Sequence, residues 1–239
     1  MSSDETQPSQ QSPDEVFLTA VLFECALGGL ALLLGWMLGP SARAMVPEFD
    51  PSQLSQLWPI FVGILYGCLA AIPVLLVVEL IRRIPWEPIR ELERLTEDGM
   101  IKTLLELRPT ELIVISICAG IGEELLFRGW MLYWLAEGAS ATASATTSAP
   151  APLAMGAALV VSSIVFGLFH PITRLYVVLA ALMGLYFGAL VIYTENLMVP
   201  IAAHATYDAV QLIVTARQEQ QAAARKTAAN PGAQSTRDT

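Results

Sequence analysis

Residues 111–135 read ELIVISICAGIGEELLFRGWMLYWL, an apolar run that carries Glu123, Glu124 and Arg128 near its middle. A hydrocarbon core of about 30 Å takes roughly 20 helical residues to cross. Ionisable groups inside it are costly, so they face a cavity or one another. The run therefore predicts a membrane-spanning helix whose charged side chains turn into a protein interior. Working outward, five more apolar stretches of this kind lie at 16–38, 59–81, 153–170, 175–193 and 197–216. The expected fold is all-α: a polytopic transmembrane helix bundle of about six spans, multi-pass in a cell membrane.

Composition agrees. The chain has 239 residues, 54% hydrophobic and 15% charged, which belongs to the membrane class. The net charge of −9, without a basic stripe and interleaved aromatics, argues against nucleic acid as a partner. Basic residues test the span count, because cytoplasmic loops hold the excess of Lys and Arg. Six spans with both termini inside put eleven Lys and Arg on the inner side and Arg43 alone outside, with Arg128 counted as intramembrane. The start of the chain has no Lys or Arg, so it lacks the positive end of a cleavable signal, and the first span is expected to stay in the mature protein. Cys25, Cys68 and Cys118 sit in apolar stretches without a Cys-x-x-Cys pair and read as small core residues.

The expected organisation has four parts. A disordered tail covers 1–15, and 16–109 holds two spans plus an amphipathic connector at the interface. A catalytic membrane segment covers 110–216, followed by a polar tail at 217–239. The connector places Trp86, Ile89, Leu92, Leu95, Ile101, Leu104 and Leu105 among Glu and Arg. The Ala, Ser and Thr of 138–152 suit a flexible or weakly helical link.

Three motifs carry chemistry. Four residues apart on a helix share a face, so Glu124 and Arg128 can pair while Glu123 is turned about 100° away and left available as a general base. Phe166 and His170 end the fourth span, where Pro171 disfavours further helix. His204 and Asp208 are again four apart, so the carboxylate can orient the imidazole. A structural ion pair, a helix-end histidine and a bracing His–Asp pair are the plainer readings of each motif taken singly. Their coincidence inside apolar spans favours a reaction centre.

Two routes stay open: zinc held by Glu123, His170 and His204, or direct activation of water by Glu123 and His170. In the second, His204 and Asp208 stabilise an oxyanion. No His-Glu-x-x-His motif is present. Glu79 lies beside Arg82 and Arg83, where pairing is the simple account, and Glu24 takes no part in any motif.

Taken in order on separate spans, Glu123-Glu124-x-x-x-Arg128, Phe166-x-x-x-His170 and His204-x-x-x-Asp208 resemble the CPBP intramembrane proteases. That family includes CAAX prenyl endopeptidases and Abi-type and bacteriocin-processing proteins. The resemblance covers roughly 110–216. It implies hydrolysis of a peptide bond within the membrane, in a peptide or protein substrate that is lipidated or membrane-associated. Glu123 would be the water-activating base, with Glu124 held by Arg128, His170 beside the water, and His204 and Asp208 at the oxyanion or an ion. Members are described both as metalloproteases and as glutamate proteases, so the resemblance leaves zinc open. The family most often has Asn where this chain has Asp208, and an ionised acid donates no hydrogen bond.

Two rivals belong to other classes. One is a proton- or ion-coupled transporter, since Glu and His chains also pass protons, although no inverted repeat is visible. The other is a non-catalytic scaffold. The drawn spans also strain at one point: His170 falls near the cytoplasmic end of its span, whereas Glu123 and His204 lie toward the middle or outer half. Either that helix starts later, or the Pro171 turn lines a cavity within the bundle.

Overall fold

The computed structural model describes residues 12–49, 55, 57–94, 99–142 and 151–229. Positions 1–11 of the expected tail, Leu95, positions 143–150 of the Ala/Ser/Thr link and the chain from 230 onward lie outside these residues. No strand occurs among the described residues, and the all-α helical membrane bundle holds.

Helix α1 covers Pro13–Leu38. Ser12 begins it: its hydroxyl accepts the Glu15 N–H, and the Glu15 carboxylate accepts the Ser12 N–H at 2.8 Å. Pro13 at the first helical position needs no amide partner. Helix α2 is Leu57–Arg82, and the amphipathic connector forms two short helices, α3 (Glu87–Arg94) and α4 (Gly99–Leu105). Next come α5 (Pro109–Glu124), a π-helical segment (Leu125–Met131) and α6 (Leu132–Thr142). Helices α7 (Pro152–Leu168), α8 (Arg174–Thr194) and α9 (Met198–Ala229) complete the chain. The last continues as helix into the segment expected to be a polar tail.

Among the described residues, α1, α2 and α8 are long and apolar enough to cross a membrane, and α7 is apolar at 17 residues. The run at 111–135 is divided among α5, the π-helical segment and the start of α6, while 197–216 is the first part of α9. Large apolar side chains such as Phe23, Trp36, Phe61, Leu76 and Leu182 are exposed on the outer faces. So much apolar surface facing outward suits lipid rather than water.

Lipid tails are as apolar as leucine, so helices inside a bilayer associate through close packing, and small residues permit it. The buried residues of α2 are Gly63, Gly67 and Ala71, a four-residue repeat that lies against α9. A Cβ at Gly67 would stand 2.4 Å from the Val199 carbonyl oxygen and 2.5 Å from Ala202 Cβ. We expect Gly67→Leu to cost about 1–3 kcal/mol through this overpacking. The Gly29→Ala control has open space and should lose nothing. Denaturant unfolding in detergent checks both, and equal stability of the two variants would contradict the close α2–α9 seam.

Helix α9 therefore sits between α2 and α5, while α7 packs between α6 and α8, and α1 covers α5 and the π-helical segment. Glu195, with φ of 50°, closes α8 in the left-handed region. Asn196 then accepts the Met198 N–H at 2.9 Å and donates to the Pro59 carbonyl at 3.1 Å, tying the start of α9 to that of α2. The π-helical segment leaves room for the loop after α1: Trp130 Nε1 donates to the Gly39 carbonyl, and a Cβ at Gly129 would lie 2.3 Å from the Ala42 carbonyl oxygen. Single-turn π-helix often marks functional sites, and this one begins one residue after Glu124.

Candidate active site

Helix α5 ends in Glu123 and Glu124, both buried at 8% and 0% exposure. Arg128, one turn on, donates from Nη1 to Glu124 Oε1 at 2.8 Å and is itself buried. Its guanidinium lies 4.1 Å from the Phe166 ring centre, with Phe127 and Phe187 at 5.8 and 5.7 Å. A guanidinium on aromatic faces gains a cation–π attraction that is larger where water is excluded. Three rings thus hold the cation while one carboxylate balances its charge. Gly184 keeps α8 close enough for this, since a Cβ there would meet Ser163 at 3.0 Å and Arg128 Nη2 at 3.3 Å.

His204 arrives from α9. Its Nδ1–H donates to the same Glu124 Oε1 at 2.9 Å, and the Phe187 ring stacks on it with centres 5.2 Å apart. Glu124 therefore joins Arg128 and His204, two residues far apart in the chain. With Nδ1 engaged, His204 Nε2 faces Asp208 Oδ2 at 3.3 Å and Glu123 Oε2 at 4.0 Å. A carboxylate that fixes an imidazole through one nitrogen decides where the other points.

His170 lies just beyond α7. The helix stops at Leu168, and the His170 N–H donates to the Gly167 carbonyl, so the chain folds back before Pro171. His170 Nδ1 lies 2.8 Å from the Phe166 carbonyl oxygen, which only accepts, so Nδ1 carries the hydrogen. Nε2 then presents a lone pair 3.7 Å from Glu123 Oε2. That separation is too wide for a direct hydrogen bond and right for one small molecule touching both. The apparent mismatch in depth is thus removed by the turn, which carries the imidazole to the carboxylates.

The structure brings Glu123, Glu124, Arg128, His170, His204 and Asp208 into one cluster. It leaves Glu79 apart, paired with Arg83 at 2.9 Å on an exposed face. It adds residues that periodicity did not single out. Phe187 and Phe127 wall the cluster, and the Tyr176 ring lies 6.0 Å from that of His170. Only tertiary contact reveals these. Glu24 is different, for an acid within an apolar stretch was a visible signal, and its carboxyl lies in the field of Glu123, His204 and Asp208.

Glu123, His170 and His204 offer one carboxylate oxygen and two imidazole nitrogens, a donor set that suits zinc in kind. In a tetrahedral zinc centre, bonds of 2.0–2.2 Å put ligand atoms about 3.3–3.6 Å apart. Here the two His–Glu123 separations are 3.7 and 4.0 Å, and no group of three His, Cys, Asp or Glu among the described residues is drawn together closely enough to hold a metal. As arranged, the two separations are a few tenths of an ångström wider than the edges of such a centre.

The family described as "Type II CAAX prenyl endopeptidase Rce1-like" matches residues 106–210. The matched segment runs from just before α5 to the first part of α9 and so contains all six clustered residues. No curated protein and no solved structure matches the chain.

Proposed function

Residues 106–210 belong to the CPBP family of CAAX-type proteases, and from that premise we propose that this chain cleaves a peptide bond inside the membrane with a water activated by Glu123 and His170. The family implies a protease acting on a protein substrate at a membrane. The observation that carries the finer reading is the pair of acceptors, Glu123 Oε2 without a hydrogen-bond partner and His170 Nε2, 3.7 Å apart.

A water between them gives one proton to Glu123 as its oxygen attacks the scissile carbonyl. Glu123 then returns that proton to the leaving amine, so the enzyme ends as it began. His170 orients the water through Nε2, and its own orientation comes from the Phe166 carbonyl. Glu124 has a different task. It balances Arg128 and holds the ring of His204 through Nδ1, so that its Nε2 side faces the reacting centre together with Asp208. Asp208, as a carboxylate, suits orientation of His204 rather than donation to an oxyanion. Burial strengthens every one of these electrostatic contacts.

The test uses detergent-purified protein, a CAAX-type peptide and a bacteriocin-leader peptide, each with and without chelator. Cleavage is expected, and His170→Ala should slow it by about 10²–10⁴-fold, the usual span for loss of an acid–base partner. Cleavage by His170→Ala at the parent rate would sink the assignment. Loss of activity with chelator, restored by zinc alone, would transfer the role of water activation to a metal held by Glu123, His170 and His204. Ion flux in vesicles without any cleavage would favour a transporter.

A further inference from the structure

Among the described residues, four buried side-chain atoms lack a hydrogen-bond partner: Glu24 Oε2, Glu123 Oε2, Glu124 Oε2 and Arg128 Nη2. Three belong to the mechanism above. The fourth, on α1, lies outside the matched segment 106–210. Its place is set by backbone packing: a Cβ at Gly122 would stand 2.3 Å from the Glu24 carbonyl oxygen, and a Cβ at Gly28 3.5 Å from Gly122 Cα. Helices α1 and α5 thus touch at the residue just before Glu123.

A peptide entering a dry helical site brings main-chain N–H groups that lose water. Each needs an acceptor, because an unpaired buried donor costs several kcal/mol in hydrocarbon. Helices supply none from their own backbones, since their carbonyls are spent on internal hydrogen bonds. That leaves side chains and the non-helical turn at 169–173 to do it. Glu123 is reserved for water and Glu124 for Arg128 and His204. We propose that Glu24 is a substrate-binding residue of this site, its carboxyl oxygen accepting a main-chain N–H of the peptide substrate beside the scissile bond.

This assignment rests on the protease reading, and the test separates the two. In full-length Glu123→Gln protein, which holds peptide without turnover, the dissociation constant of a fluorescent CAAX-type peptide is measured by anisotropy. A set of the same peptide N-methylated at each backbone amide in turn is measured beside it. One N-methyl group should weaken binding about three- to tenfold, the value of an ordinary hydrogen bond. In the Glu24→Ala, Glu123→Gln double variant the parent peptide should already be weakened by that factor, and the same N-methyl group should cost nothing further. Glu24→Gln, which keeps an acceptor oxygen, should restore part of the affinity. Equal N-methylation costs with and without Glu24, undiminished binding by the Glu24→Ala variant, or no binding at all would each overturn the assignment. Peptide that binds in this Glu24-dependent way yet is never cut by protein with Glu123 intact would instead sink the protease reading and leave Glu24 in place.

Discussion

Glu123→Gln should abolish peptide cleavage, lowering kcat by about 10³-fold or more, while leaving the fold as stable as the parent. The size follows from the chemistry, for a general base typically contributes about 10²–10⁴-fold and no other unengaged carboxylate stands beside His170 Nε2. Preserved stability follows from the geometry. Glu123 Oε2 makes no hydrogen bond that the substitution would break, and Gln has nearly the same shape. The amide oxygen still accepts a hydrogen bond from water but is too weak a base to take its proton. Single-turnover cleavage with thermal unfolding in the same detergent measures both halves. A variant that folds and still cuts at the parental rate would remove Glu123 from the reaction.

The second large effect concerns stability. Arg128→Met should destabilise the protein by about 3–5 kcal/mol, because it strands the fully buried Glu124 carboxylate without its cation. Loss of the three aromatic contacts to the guanidinium adds to this. Arg128→Lys should recover only part, since an ammonium lacks the planar fork that reaches Glu124 while lying on Phe166. The double variant Glu124→Gln, Arg128→Met removes both charges and should regain most of the loss, because replacing a whole buried pair is often near neutral. It should remain inactive, as His204 then loses the carboxylate that orients Nδ1. Urea unfolding in detergent gives the stabilities. If Arg128→Met proves as stable as the parent, the buried pair is not what organises this end of α5.

Much of the site was legible in the chain alone. Helical spacing of four linked Glu124 to Arg128, Phe166 to His170 and His204 to Asp208, and local geometry suffices for such pairs: they lie 2.8 Å, 2.8 Å and 3.3 Å apart. What spacing does not carry is the partner across the bundle. Glu124 accepts from His204, eighty positions away, and Phe187 stacks on the same ring from a third helix. The same limit applies to Glu24, for the contact of α1 with α5 at Gly122 joins segments about a hundred positions apart.

Hydrophobicity along the chain was enough to determine a helical membrane protein, since a bilayer demands long apolar runs whose backbone groups are satisfied within each run. It determined the paired residues within one helix for the same local reason. Depth and convergence were decided only by the tertiary structure. His170 reaches Glu123 because the chain turns at the end of α7, and α9 lies against α2 and α5 because Gly67 and Gly120 let the backbones approach. Those are contacts between distant segments, set by shape, and a pattern of period 3.6 contains no information about which helix will supply the opposite wall.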